Sequence, residues 1–165
     1  MGVRTKRYDY GAKKLAEQLK KLKKTPYIKA GFPKDSSDTK VKHAHSDDTI
    51  LDIALKHEFG TEKYPERSFV RAAFKKNVKD YKRLNKREIG KLVKRRTNLN
   101  KMLQYFGLRI SSDIKKYIAE KKVRPVSRRA KRDSGITLWD TGQLINSIAW
   151  VESINGKSTK VGGKP

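Results

Sequence analysis

The sequence predicts an α+β fold: several helices, one of them long and in the C-terminal half, packed on a small antiparallel sheet with a C-terminal β-hairpin. Apolar residues recur at steps of three and four from Leu99 to Ile118, which is typical of a helix. The segments 27–32 and 148–161 favour strands instead. Asn155-Gly156 interrupts the second of these segments and is a strong turn signal between paired strands.

The N-terminal half begins with a predicted helix over 11–24, in which three leucines recur at steps of four and three. Pro26 ends this helix because proline has no N–H to donate to the preceding turn. Tyr27–Phe32 then follows as a short strand.

A second helix is predicted from Ile50 to Phe59, and its broad apolar face indicates that it is buried. Asp48 can accept hydrogen bonds from the first turn as its N-cap. Gly60 suits the left-handed residue that commonly ends a helix.

Helical spacing resumes after Pro65, from Phe69 to about Leu84, and a further run covers 89–93. A break near 96–100 separates it from the long helix, which could run for roughly 24 residues, or about 36 Å. A coiled coil is not favoured because the apolar pattern does not keep a strict heptad. The spacing of the aromatic residues in this region marks them as core, namely Phe74, Tyr81 and Phe106.

Near the C-terminus, Asp140 or Thr141 can cap a short helical turn over Gln143–Asn146. Strands over 148–154 and 157–161 then form the predicted hairpin. With 165 residues, the chain suits a single domain over 1–165. Three segments have little pattern of their own: a mobile basic arm at 1–9, an extended loop at 33–48 and a basic loop at 119–137.

Charge is the strongest compositional feature, with 42 Lys and Arg against 17 Asp and Glu and a formal net charge of +25. Nucleic acid or an acidic protein surface is the expected partner of such a chain. The region 71–101 alone has thirteen bases and two acids. Since its aromatic residues are assigned to the core, contact with DNA would be with the backbone rather than with bases. The candidate contacts are Lys75, Lys76, Lys79, Lys82, Arg83, Lys94, Arg95, Arg96, Arg128, Arg129, Lys131 and Arg132.

The sequence gives little support for an enzyme or a metal protein. No cysteine is present, which excludes thiolate zinc ligands and a cysteine nucleophile. His43 and His45 lie beside Asp47 and Asp48, but no second ligand cluster completes a metal site. His57 and Glu58 are neighbours on a helix and point about 100° apart, so they would not share a site. We therefore expect no catalytic residues, no metal and no cofactor. An apolar run long enough to cross a membrane is also lacking.

Two segments carry a family resemblance. Glu58-Phe59-Gly60-Thr61 followed by Pro65-Glu66-Arg67-Ser68-Phe69-Val70-Arg71 resembles the EFGT…IPERPFLR segment of tailed-bacteriophage virion morphogenesis proteins, the tail-completion, neck or head–tail joining proteins. Leu138-Trp139-Asp140-Thr141-Gly142-Gln143-Leu144-Ile145-Asn146-Ser147-Ile148 looks like the LIDTGQLRNSI segment of the same group. The order and separation of both segments match, and two departures are Ser68 for proline and Trp139 for a small aliphatic residue.

The resemblance implies a non-enzymatic structural protein of the virion neck, assembled in the host cytoplasm. It would form a homo-oligomeric ring, with six copies expected, between the portal or connector and the tail proteins. Genomic double-stranded DNA would pass through the ring without sequence recognition, and no membrane is involved. The residues assigned to the signature and to assembly are Glu58, Phe59, Gly60, Thr61, Pro65, Arg67, Phe69, Asp140, Thr141, Gly142, Leu144 and Ser147.

Two other hypotheses remain open from the residues. A basic cytoplasmic nucleic-acid-binding protein would explain the charge without any virion. A DNA-modifying enzyme or toxin is a weaker alternative, because nucleases are also basic.

Overall fold

The computed structural model describes residues 11–23, 25–33, 40–42, 47–62, 65–120, 142–154 and 157–162. Within these ranges five helices and three strands form the predicted α+β fold, including the C-terminal hairpin. In chain order the elements are α1 (Ala12–Leu22), β1 (Tyr27–Gly31), α2 (Ile50–Phe59), α3 (Val70–Val93), α4 (Leu99–Ala119), α5 (Gln143–Asn146), β2 (Ala149–Ile154) and β3 (Lys157–Gly162).

Several predictions concern residues outside these ranges. They are the arm at 1–9, most of the loop at 33–48, the basic loop beyond residue 120, and the proposed cap at Asp140 or Thr141. The single domain over 1–165 also stays a prediction.

Helix α1 rests on the start of α4. Leu22 packs against the buried side chains of Leu99, Met102 and Leu103. The side-chain amide oxygen Oε1 of Gln18 accepts the backbone N–H of Leu99 at 3.1 Å. Helix α1 thus contributes both an apolar contact and a hydrogen bond to the first turn of α4.

The N-cap of α2 is Thr49, so the prediction of Asp48 is wrong. Thr49 Oγ1 accepts the N–H of Asp52 at 3.2 Å, and the Asp52 carboxylate accepts the N–H of Thr49 at 3.1 Å. This reciprocal pair satisfies two N–H groups at once. Asp48 instead pairs with Lys56 at 2.6 Å, one residue outside the cap.

Helix α2 is buried along one stripe only. Ile50 and Ala54 are in the core, but Leu55 and Phe59 are 47% and 61% exposed. Residues 50 and 54 lie about 140° around the helix from residues 55 and 59. The expectation that the whole apolar face is buried is therefore wrong for Leu55 and Phe59.

Helices α3 and α4 form an antiparallel hairpin, and the predicted break between them is confirmed at 94–98. Lys76 pairs with Glu120 at 3.2 Å near one end. In the middle, the buried Tyr81 hydroxyl donates to Asp113 Oδ2 at 3.1 Å, and burial together with this carboxylate raises the pKa of Tyr81. Polar contacts therefore fix the register of two helices whose outer faces are charged.

One aromatic residue of α3 is not in the core. Tyr81 is buried and Phe106 is partly buried, as predicted, but Phe74 is 48% exposed. Its ring instead lies 5.3 Å from the ring of Tyr81, measured between centroids. A spacing of seven residues places both side chains on the same side of α3, so Phe74 packs on Tyr81 rather than in a core cluster.

The sheet has the order β1-β2-β3, with both pairs antiparallel. The central strand β2 packs on α4 through Trp150. An added Cβ at Gly107 of α4 would lie 2.3 Å from the indole, and one at Gly162 of β3 would lie 2.4 Å from it. The ring is thus held between two glycines, each of which provides room that any other residue would fill.

The buried residues form two clusters. The larger one joins α2, the start of α3, the end of α4 and the α5 region; its members are Ile50, Ala54, Phe69, Ala73, Ile114, Ile118, Leu144, Ile145 and Ile148. The smaller one surrounds the start of α4. Phe69 is fully buried and meets Phe32 edge-to-face, with the ring centroids 6.0 Å apart.

We predict that Gly107→Ala lowers the free energy of unfolding by about 1–3 kcal/mol, because the new methyl group would overlap the buried indole of Trp150. Gly90→Ala is the matched control. It lies within α3 with no atom within 4 Å of the added Cβ, so we expect a gain of about 0.5–1 kcal/mol from the lower cost of ordering alanine. Urea denaturation of both variants measures the difference, and equal effects would contradict the packing argument.

Candidate functional site

The junction between α2 and α3 is organised by the carboxylate of Glu58, which is 6% exposed. Oε2 accepts the N–H groups of Phe69 at 2.8 Å and Val70 at 2.9 Å. Oε1 accepts the N–H of Arg71 at 3.0 Å and the Ser68 hydroxyl at 2.9 Å. Arg71 Nε adds a further hydrogen bond to Oε1 at 3.0 Å. Glu58 of α2 therefore caps the N-terminus of α3.

Helix α3 needs this cap from outside because its own N-cap residue, Phe69, has no side-chain acceptor. The first N–H groups of a helix lack partners within the helix, and the helix dipole makes this end positive. Burial alone would raise the pKa of Glu58, but the three backbone N–H groups and the Arg71 side chain lower it below its usual value. The carboxyl is consequently ionised at neutral pH.

Arg71 lies on the solvent side of the junction and bonds both to α2 and to the segment that follows it. Its Nη2 donates to the Glu58 backbone carbonyl at 2.6 Å and to Glu66 Oε1 at 2.8 Å. The guanidinium also lies 4.8 Å from the centroid of the Phe59 ring. Phe59 is therefore exposed to solvent on one side and covered by a cation on the other.

Gly60 ends α2 with φ 75° and ψ 172°. The positive φ agrees with the prediction, but the ψ value does not belong to the left-handed helical region. This part of backbone space is essentially restricted to glycine. The glycine requirement at Gly60 is therefore stricter than an ordinary left-handed cap would impose.

His57 and Glu58 do not act as a pair. The N–H of Arg67 donates to the His57 carbonyl oxygen at 2.7 Å, and Arg67 Nη1 lies 3.4 Å from His57 Nδ1. Burial, together with the charge of Arg67, lowers the pKa of His57 to about 4. The imidazole is thus neutral at neutral pH and serves as a partner of Arg67, while every strong contact of the Glu58 carboxylate is with the start of α3.

The second signature segment meets the first in the larger core cluster. Leu144 and Ile148 pack there with Phe69 of the first segment and with Ile50 at the start of α2. Gly142 precedes α5 with φ 70°, a left-handed conformation that glycine adopts without strain. Asp140 and Thr141, by contrast, lie outside the described residues.

The remaining signature residues differ in exposure. Arg67 and Ser147 are buried, whereas Thr61 and Pro65 are exposed. The Ser147 hydroxyl donates to the Gln143 carbonyl oxygen at 2.8 Å. The buried members thus have structural contacts, and the exposed ones lie in the turn between α2 and α3.

A row of lysines follows the outer face of α3, and we call Lys75, Lys79, Lys82 and Lys86 the lysine row. All four are exposed. Steps of four, three and four place them on one face over about 16 Å. Within the part of the chain that the structure describes, none of them forms an ion pair. Lys86 was not among the residues predicted from the sequence, although the same spacing includes it.

The other bases of α3 are engaged with acids. Arg83 pairs with Asp80. Lys91 donates to Glu88 at 2.8 Å and Arg87 does so at 3.3 Å. The hydrogen bond from Lys91 is the main reason that the pKa of Glu88 is lowered. The described acids near α3 therefore neutralise its flanks and leave the lysine row with its charge.

The bases after α3 form a separate group. Lys94, Arg95 and Arg96 are exposed in the turn before α4. Arg95 has a positive φ of 57°. The four candidates between 128 and 132 lie outside the described residues.

Two searches for specialised features concern the described residues alone. No group of three or more His, Asp or Glu side chains is placed to hold a metal ion there. No helix in the same ranges combines the length and the apolar character needed to cross a membrane.

Comparisons of the chain with protein-family models, curated proteins and solved structures find no match.

We predict that Glu58→Gln lowers the free energy of unfolding by about 2–3 kcal/mol, because an amide replaces a charged acceptor beneath three backbone donors. Glu66→Gln is the control, since it removes an exposed carboxylate from the same Arg71. An exposed ion pair contributes little, so the expected loss there is about 0.5 kcal/mol or less. Thermal or urea unfolding compares the two variants, and similar losses would show that Glu58 is not the main cap.

Proposed function

We propose that this chain is a structural, non-enzymatic protein of the tailed-phage neck. It forms a ring at the head–tail junction or at the top of the tail and is needed to complete the tail or join it to the head. In this proposal the portal or connector and the tail proteins are its neighbours, and genomic DNA passes through the ring.

The observation that carries the proposal is the meeting of the two signature segments. They are separated by more than sixty residues of sequence, yet Phe69 of the first and Leu144 of the second share one core cluster. The resemblance to neck proteins rests on these same two segments. Their contact supports treating them as one structural unit rather than as two independent sequence coincidences.

The chemistry of the junction supports a structural role. Glu58 and Arg71 satisfy each other and the first turn of α3. A general acid or base needs a proton that it can exchange with a substrate near neutral pH. The lowered pKa values of Glu58 and His57 hold both groups in one protonation state there. These two side chains are therefore suited to holding α2 against α3.

The lysine row supports a polyanionic partner. Its four ammonium groups, which have no ion-pair partner among the described residues, repel each other along about 16 Å, and phosphate groups or an acidic surface would relieve that repulsion. Lysine contacts of this kind bind the backbone without reading sequence. This arrangement suits DNA that slides past a ring.

The lysine row equally favours the alternative, a basic nucleic-acid-binding protein that does not enter a virion. DNA binding by itself would not separate the two proposals. The two proposals are separated by whether the chain is found in phage particles.

The test of the neck proposal is to express a tagged chain during phage growth and to examine purified particles. We expect the chain in full virions, in a ring at the neck in cryo-electron microscopy, and in an oligomer by light scattering of the purified protein. Deleting the gene should yield unjoined heads and tails. A chain that is absent from particles and monomeric in solution would contradict the proposal.

We further predict that Lys75→Gln, Lys79→Gln and Lys82→Gln together reduce the steepness with which duplex binding falls with salt. Each lost phosphate contact lowers that slope by about one. The control removes the same charge from the end of α1 and its C-cap, through Lys20→Gln, Lys21→Gln and Lys23→Gln. Fluorescence anisotropy over a salt series measures both triple variants. Equal slopes would show that net charge, and not the lysine row, determines binding.

A further inference from the structure

We propose that the cavity between α1 and the α3–α4 turn binds a phosphoryl group. It is distinct from the lysine row and does not depend on the neck proposal. Its volume is about 230 Å³, below the roughly 300–1,000 Å³ of pockets for drug-sized ligands. The size therefore suits one or two phosphates rather than a large organic ligand.

The charged side chains that line this cavity are all cationic. The side chains that carry the argument are Lys14 from α1, Arg95 and Arg96 from the turn, Lys101 from α4, and the amides of Gln18 and Asn98. Among the described residues that line it, none is acidic. None of the four cations forms an ion pair within the described ranges.

The four cations come from three different elements. Chain segments that are far apart in sequence thus bring like charges to one concave surface. Each charge there raises the free energy of the others by repulsion. Guanidinium groups match a phosphate well because they donate two parallel hydrogen bonds, and an ammonium adds a point charge. A phosphoryl dianion is the ligand chemistry that offsets this repulsion.

The amides in the cavity already have structural partners. Gln18 accepts the N–H of Leu99 at 3.1 Å, and Asn98 accepts the N–H of Lys101 at 2.9 Å. The cavity wall is thereby fixed. The cations, not the start of α4, are left to hold a ligand.

Arg95 has a backbone conformation that is unusual for a residue other than glycine. The N–H of Arg95 donates to the Leu92 carbonyl oxygen at 3.0 Å, and the N–H of Arg96 donates to the Lys91 carbonyl oxygen at 2.8 Å. This pair of bonds ends a helix with one left-handed residue, which is most often glycine. Here that residue is Arg95, with φ 57°. Its backbone would be less strained as glycine, so the arginine at this position provides a charge at a conformational cost.

Arg95 also lies against a second helix. A Cβ at Gly11 would be 2.1 Å from Arg95 Nη1, which places the guanidinium directly over the N-terminus of α1. Cations are disfavoured at this positive end of a helix. The position of Arg95 is thus explained by a bound anion better than by any contact within the described chain.

These features allow a test that distinguishes loss of binding from loss of folding. Arg95→Gly removes the cation and relieves the left-handed strain, so the unfolding midpoint should stay equal or rise. With Arg96→Gln added, we expect the affinity for pyrophosphate, measured by calorimetry on the full chain, to fall about tenfold or more. The control, Lys79→Gln with Lys82→Gln, removes two charges from the lysine row and should leave pyrophosphate affinity within about twofold.

The same variants distinguish the sources of the phosphate. If the group belongs to a nucleic-acid backbone, the Arg95→Gly, Arg96→Gln variant also lowers the salt slope of duplex binding by about two. If it belongs to a free phosphate compound, pyrophosphate binding falls and the duplex slope does not change. Pyrophosphate that fails to bind the unsubstituted chain, or binds the variant equally well, overturns the proposal. Neither result would affect the neck proposal, which is tested by the content of particles.

Discussion

The constraint on which the structure depends is the need of α3 for an acceptor at its first turn. Helix α3 begins at Val70 without a capping side chain of its own, and the carboxylate of Glu58 on another helix supplies it. Because several hydrogen bonds converge on one side chain, α2 and α3 cannot separate without leaving a buried charge and exposed donors. This contact sets the angle between α2 and α3, and the core cluster that contains Phe69 packs between these helices.

Acids and bases have different places in this chain. Glu58 and Asp113 are buried and each bonds to a second helix, and the buried Glu88 pairs with bases of its own helix, whereas the lysine row and the bases after α3 face solvent. The few acids near α3 are thus used inside the fold or along its flanks. The composition gives only the total excess of positive charge. In the fold, part of this charge lies on two separate surfaces: a straight row along one helix and a concave group at the end of that helix.

Periodicity was sufficient to predict the α+β class, the helix over Leu99–Ala119 and the hairpin, because each of these follows from local spacing and turn residues. It failed where partners are distant. The exposed ring of Phe59 is covered on one side by Arg71, twelve residues ahead. The cap at Thr49 is a different case: its partner Asp52 is only three residues ahead, so the sequence contains a local signal, which the prediction of Asp48 missed. The role of Glu58 has no local signal, since its donors lie ten to thirteen residues ahead.

The turn between α2 and α3 is fastened at both of its ends. His57 holds the backbone of Arg67, and Glu58 holds that of Phe69, so the two ends of the segment between α2 and α3 are held together. The entropic cost of closing a loop rises only slowly with the length of the loop. We therefore expect insertions between Thr61 and Pro65 to leave the contacts between α2 and α3 in place. The geometry of the junction and the length of its loop can vary independently.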